Sequence, residues 1–182
     1  WAVFRSYKVI VPSNTVLTDF LKYLSFPKEK YVLAYEGIDP DLLINNISVE
    51  DTLLKYKLTK PFILYVSSMY EHKNAEGLVE MFTILKERYK YEGKFVMISK
   101  KDKFSKRVYD KVQQMGYGDE ILFPAYRIES AQDIVVTDQE VVAFRKAADL
   151  YVFAAFAEGF SLTALEAMAF GLPAVLSDID CH

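Results

Sequence analysis

Two carboxylates, Glu158 and Glu166, stand with seven residues between them in the run Ala157-Glu158-Gly159-Phe160-Ser161-Leu162-Thr163-Ala164-Leu165-Glu166. Between them lies a glycine turn and what reads as the start of a helix, with Ser161 placed to cap it and Gly171 and Pro173 to stop it. A helix start leaves backbone N–H groups unpaired at the positive end of the macrodipole, which suits a phosphate. Carboxylates beside it cannot ligate phosphate; they accept hydrogen bonds from hydroxyls, as on ribose or a hexose. Glu166 falls a little more than one turn inside the helix, its side chain leaning back toward the N-terminus. Gly159 removes a side chain where backbone must approach a ligand closely. Phosphate at the helix start and hydroxyls at the carboxylates together read as a site for a sugar nucleotide.

A second patch is Tyr65-Val66-Ser67-Ser68-Met69-Tyr70-Glu71-His72-Lys73-Asn74. Here a strand ends in small residues and a loop carries Lys73 to a helix start, with Asn74 as the expected cap. Lysine at that place can neutralise a diphosphate as a point charge. His72 reads as a loop residue rather than a base.

Positioning these groups requires an alternating series of elements. Apolar strand-like runs at 8–11, 31–35, 62–66, 95–98, 121–123, 149–153 and 174–176 are separated by helical patterns. Leu17, Phe20, Leu21 and Leu24 share a helix face behind Ser13 or Asn14. Leu78, Met81, Phe82, Leu85 and Tyr89 do the same behind Asn74, with Gly93 as the expected stop. Helices are also expected at 49–57 after Ser48, at 103–115, and at 137–147 behind the capping box Thr137-Asp138-Gln139-Glu140. Strand–helix–strand units with near-continuous apolar strands predict an α/β fold, a doubly wound parallel sheet with helices on both faces. Ligands of such sheets bind beyond the carboxyl ends of strands. Glu158, Ser161 and the loop after Val66 all fall at that edge. Residues 38–60 are polar and strand-poor and read as a linker. Both ends look cut, since the series starts mid-element at Trp1 and stops directly after a strand.

Composition excludes several classes. The chain has 182 residues, net charge −3, one cysteine and two histidines. That charge gives no electrostatic reason for a nucleic-acid partner. One cysteine forms no disulfide framework, and with two histidines it is too few for a dedicated zinc site. No apolar run approaches the roughly 20 residues that cross a bilayer. The many tyrosine and phenylalanine rings show no stacking pattern and read as core filling.

The segment from Phe62 to His182 resembles the C-terminal, donor-binding domain of retaining GT-B glycosyltransferases, the large family four (glycosyl transferases group 1). The resemblance is carried by Tyr65-Val66 with Lys73-Asn74, Ala148-Asp149-Leu150, Glu158-Gly159-Phe160, Glu166-Ala167-Met168-Ala169 and Gly171-Leu172-Pro173. Residues 1–40 are similar to the closing part of the family's acceptor-side N-terminal domain, with Glu36-Gly37-Ile38-Asp39 resembling the hinge. Residues 41–61 are then the linker with its short helix, and 62–182 a Rossmann-like donor domain incomplete at its C-terminus.

The resemblance implies transfer of a hexose from a nucleotide-diphosphate donor with retention at the anomeric carbon. It implies Glu158 at the donor sugar and, with Lys73, at the reacting centre. Backbone N–H groups of Gly159, Phe160 and Ser161 would hold the sugar, and those of Leu162 and Thr163 the distal phosphate. Glu166 would bind the ribose, Lys73 would balance the departing diphosphate, and Tyr126 and Arg127 would lie near the base. It implies no metal and no cofactor beyond the donor, which is a substrate. The implied acceptor is a glycan, a lipid or another small molecule, and the implied setting is cytoplasmic. Attachment at the inner face of a membrane through the missing domain stays open. Ser67 and Ser68 stand in the diphosphate-binding stretch where family members often carry glycine and arginine, so one expected cation is absent. Ala154-Ala155 replaces the usual Pro-Ser before the glycine turn. The competing readings are a non-catalytic sugar-nucleotide-binding or interaction module and, more distantly, a flavodoxin-like signalling domain. With most of the acceptor side missing, the fragment alone is expected to be inactive.

Overall fold

The computed structural model describes residues 2–44, 46–126 and 136–182. Its helices are α1 (Ala2–Arg5), α2 (Asn14–Tyr23), α3 (Pro40–Leu43), α4 (Val49–Lys55), α5 (Ala75–Tyr89), α6 (Lys103–Gln114), α7 (Asp138–Ala147) and α8 (Leu162–Ala169). Its strands are β1 (Val9–Val11), β2 (Tyr31–Leu33), β3 (Phe62–Val66), β4 (Lys94–Ile98), β5 (Ile121–Leu122), β6 (Leu150–Phe153) and β7 (Ala174–Leu176). β1 and β2 pair in parallel as a separate two-stranded sheet.

The other five strands form one parallel sheet in the order β5-β4-β3-β6-β7. The chain starts at the central strand and builds outward through α5, β4, α6 and β5. It then returns to the far side of β3 with β6 and β7. Right-handed crossovers in opposite directions put the helices of the two halves on opposite faces. The order therefore reverses between β3 and β6, which pair Ile63 with Leu150 and Leu64 with Tyr151.

The strands are apolar runs because both faces are covered. Phe62, Leu64, Tyr65, Phe95, Val96 and Tyr151 are fully buried. Phe82 of α5 stacks on Phe95 with centroids 5.4 Å apart, and Phe144 of α7 meets Phe62 edge-on at 6.5 Å. These contacts meet the expectation that aromatic rings fill the core only in part, since Phe4, Tyr7, Tyr23, Tyr35, Tyr89 and Phe156 are exposed. Asp149 fixes the register at the foot of the sheet: its Oδ2 accepts from the Phe62 N–H at 2.9 Å.

Several helix ends follow the sequence signals. Ser13 Oγ accepts from Val16 N at 3.1 Å, Ser48 caps α4, and Thr137 and Glu140 complete a capping box on α7. Three expectations fail: Ser161 makes no capping bond on α8, and the other two concern α5. Asn74 occupies the start of α5 in the left-handed region (φ 55°) and its side chain makes no capping bond. α5 ends not at Gly93 but at Lys90, which takes the left-handed conformation itself (φ 55°) and donates its N–H to Leu85 O. Gly93 serves packing instead, since a Cβ there would meet the Tyr91 ring and the Pro61 carbonyl.

The segment before β3 is more than a tether. Tyr56 and Leu58 lie in the main core, and Lys55 Nζ (2.5 Å) and Tyr56 OH (3.1 Å) both reach Oε1 of the buried Glu140 on α7. Among the described residues no helix is long and apolar enough to cross a membrane.

Candidate functional site

Reversal of strand order makes the loops after β3 and β6 diverge, leaving a crevice at their carboxyl ends. The loop after β3 continues the ladder for one residue, Ser67 N donating to Ile98 O at 3.1 Å. It then folds back, with Tyr65 OH donating to Ser68 O at 2.8 Å, and ends in a 3-10 turn over Glu71–Lys73. Phe156 N, in the loop after β6, donates to His72 O at 2.8 Å. That backbone bond brings the two sequence patches together.

Lys73 Nζ donates to Glu158 Oε2. Their side chains are only 13% and 16% exposed, so the pair sits well inside the crevice. The Lys73 ammonium lies 5.5 Å from the centre of the Phe153 ring. The other oxygen of Glu158 accepts from its neighbour Gly159 N at 3.3 Å. An ammonium has three N–H donors, so two remain after the bond to Glu158.

α8 begins beside this pair. Ser161 occupies the N-cap position, yet its side chain makes no capping bond, and its buried hydroxyl has no partner among the described residues. The N–H groups of the first turn, Leu162 and Thr163 among them, have no intrahelical acceptor either. The helix start is thus uncapped and keeps its full attraction for an anion. Gly159 is in close quarters, since a Cβ there would meet Val16 Cγ2 of α2 at 3.0 Å. Ser13 Oγ, at the start of α2, donates to Gly159 O at 2.5 Å. The unit built on β1 and β2 is therefore bonded directly to the loop that carries Glu158.

Beneath the helix start lie two residues that sequence reading passed over. Tyr151 OH sits 3.0 Å from Thr163 Oγ1 and 3.3 Å from Val66 O, joining β6, the first turn of α8 and the end of β3. Burial pushes its hydroxyl pKa up to about 12, so it stays protonated at neutral pH. In an apolar strand it looked like one more core ring. Arg145, in the last turn of α7, donates through Nη2 to Glu166 Oε2. By sequence alone it is a basic residue in the last turn of a helix, where cations are common. Only three-dimensional proximity to Glu166 distinguishes it.

Of the base-contact candidates, Tyr126 lies just beyond β5. Its ring stacks on Tyr109 (4.5 Å, 11°), its hydroxyl lies 2.8 Å from Ser105 Oγ, and Lys101 Nζ stands 5.6 Å from the ring centre. Arg127 lies outside the described residues. The site residues therefore gather along the crevice, Lys73 and Glu158 in contact, Gly159 to Thr163 next to them, and Glu166 one turn deeper. A neighbouring cleft of about 370 Å³, lined by Met69, Tyr70, Asn74, Arg107 and Phe156 among others, includes none of them.

A doubly wound half-molecule with its polar cluster at the switch point is the nucleotide-binding architecture of GT-B glycosyltransferases, and the solved structures that resemble this one have that fold. The family described as glycosyl transferases group 1 matches residues 54–182, and the chain belongs to it. An uncharacterized glycosyltransferase of Methanocaldococcus jannaschii is 25% identical, covering 98% of this chain and 44% of that protein. A glycosyltransferase of Rickettsia africae superposes with a TM-score of 0.77 at 21% identity, over 96% of this chain and 45% of its own. Anabaena HepE, solved in complex with UDP and glucose, gives a TM-score of 0.75 at 16% identity, over 97% and 46%. The chain thus spans less than half the length of each of these three proteins.

Proposed function

We propose that this chain is the donor-binding portion of a retaining glycosyltransferase that moves a hexose from a nucleoside diphosphate to an acceptor glycan, lipid or small molecule. The observation that carries the reading is the enclosed Lys73–Glu158 pair between the loops after β3 and β6, next to the uncapped start of α8. Cation and helix start face the place where diphosphate charge develops as the sugar leaves, and fixed positive groups there stabilise the transition state. Glu158 accepts from hydroxyls of the donor sugar near the anomeric carbon. The N–H groups of Gly159, Phe160 and Ser161 hold that sugar, those of Leu162 and Thr163 the distal phosphate. Glu166 takes the ribose, and Ser67 and Ser68 line the diphosphate path without adding charge. Lys73 and the helix start supply the positive potential, so we assign no part to a metal ion. The complex of HepE with UDP and glucose supports a nucleotide-linked hexose as donor class. Retention rests on the likeness of the Glu158-to-Glu166 block to the retaining family. Residues 1–40 are assigned to the acceptor-side domain and its hinge, 41–61 to the linker and 62–182 to the donor domain, in a cytoplasmic protein.

Calorimetry with UDP, GDP and ADP tests this. One of them binds, binding persists in EDTA, and Glu166→Ala weakens it at least about tenfold, the loss of charge-assisted hydrogen bonds. Failure of all three to bind ends the reading. NMR of the first-formed product of the whole enzyme gives the anomer, and inversion would remove retention. A whole protein that binds donor yet neither hydrolyses nor transfers it would be the non-catalytic module instead, an outcome consistent with the uncharged Ser67 and Ser68.

A further inference from the structure

Arg145 presents an anomaly. Its side chain is 4% exposed, and desolvating a guanidinium so fully is costly unless it is paired and hydrogen-bonded. Yet among the described residues it bonds a single carboxylate oxygen, Glu166 Oε2, and its buried Nε has no partner there. Core formation does not call for such a residue, because methionine or leucine would fill the last turn of α7 at lower cost. What the arginine does is grip Glu166. One oxygen is anchored from the protein side, while Oε1 accepts nothing among the described residues and the side chain keeps 20% of its surface open. A carboxylate held by a cation is acceptor-only, and anchoring one oxygen fixes the rotation of the other.

We propose that Arg145 is a positioning residue that orients Glu166 to accept from the vicinal diol of a ribonucleoside diphosphate, so that the site selects ribose over 2′-deoxyribose. The inference rests on the placement of Glu166 at the ribose. A loosely held glutamate would rotate to satisfy whichever hydroxyl is present. A fixed one leaves an acceptor unmet when a hydroxyl is missing, and sites built that way discriminate strongly.

The test is calorimetry on the full chain with whichever of UDP, GDP and ADP binds most tightly, and with its 2′-deoxy form. The wild type should favour the ribonucleotide by about tenfold or more. Arg145→Gln should weaken the ribonucleotide by about tenfold while moving the 2′-deoxy form by less than about threefold, collapsing the ratio. Arg145→Lys keeps the charge without the planar fork and should fall between. A merely structural role would weaken both nucleotides together and leave the ratio intact, which would overturn the proposal. So would a wild type that binds both forms equally. Should Arg145→Gln not fold, the decision passes to Arg145→Lys, whose unchanged ratio would likewise overturn it. Absence of binding by all three ribonucleotides would instead remove the donor-site reading, and this inference with it.

Discussion

Lys73 and Glu158 neutralise each other, so the crevice holds both groups without leaving two bare charges. Replacing one partner strands the other, and for a pair this enclosed that is the larger part of the penalty. Lys73→Ala should therefore cost about 10–100-fold in nucleoside diphosphate affinity, in the range of a charge-assisted bond. Glu158→Gln keeps the shape and an amide oxygen for Lys73 to donate to, so it should shift nucleotide affinity by less than about threefold, while in the proposed whole enzyme it lowers turnover by far more. Calorimetry beside a transfer assay separates the two, and equal effects on both would put Glu158 in binding rather than chemistry. The Glu158-to-Glu166 block could be read from sequence because glycine, helix start and both acids are local. Arg145 and Tyr151 could not, because what marks them is a partner some 21 or 12 residues away. Asn74 misled for a local reason. Asparagine is a good cap, but it also tolerates the left-handed region, and here the backbone requirement won.

Among the elements, α4 and α7 are joined by Glu140, whose carboxyl is buried under Lys55, Tyr56 and its own capping box. Burial works to raise the Glu140 pKa, but the bonds from Lys55 and Thr137 outweigh it and hold the carboxyl below its ordinary range. A depressed folded-state value means stability that is present above the unfolded pKa and is lost as pH falls through the folded one. Glu140→Gln should thus cost roughly 1–3 kcal/mol near pH 7. In urea unfolding its gap to the wild type should shrink below about pH 4, where the unfolded acid protonates. A pH-independent gap would assign the loss to packing alone. At the other end of the sheet, Lys90 sits at φ 55°, where a Cβ is strained. Lys90→Gly should raise stability by a few tenths to about 1 kcal/mol, the saving in strain less the added freedom of the unfolded chain. A lower melting point in that variant would show the Lys90 side chain to matter more than its backbone. The strands and most helices were legible in the sequence because buried parallel strands are short apolar runs and the Thr137–Glu140 capping box announces its helix. Helix ends were less so: Gly93 looked like a stop, yet the close approach of Pro61 and Tyr91 is what demands a glycine there.

Over the whole molecule, the proposed site would link binding to folding, because a nucleotide between β3, β6 and α8 could be held only by the assembled sheet. A nucleoside diphosphate at 100 times its dissociation constant adds about 2.7 kcal/mol. For a chain of this size that should raise the melting temperature by about 5–10 °C. A saturating ligand that leaves the transition unmoved would mean binding outside the folded crevice. The parallel α/β class could be anticipated from the alternation of strand and helix. The position of the switch could not, because nothing local tells β6 to cross back beside β3 rather than continue beyond β5.

That crossing has a consequence in time. Lys73 and Glu158 are separated by 85 residues of chain, and β6 is made correspondingly late after β3. At a synthesis rate of roughly 5–20 residues per second, the delay is about 4–17 s. Through it, β3 can pair with β4 on one side while its other apolar edge stays bare, the kind of edge that invites wrong partners. The strand at the centre of the finished sheet is, for those seconds, its rim, and the crevice with its charge pair comes into being only when that rim closes.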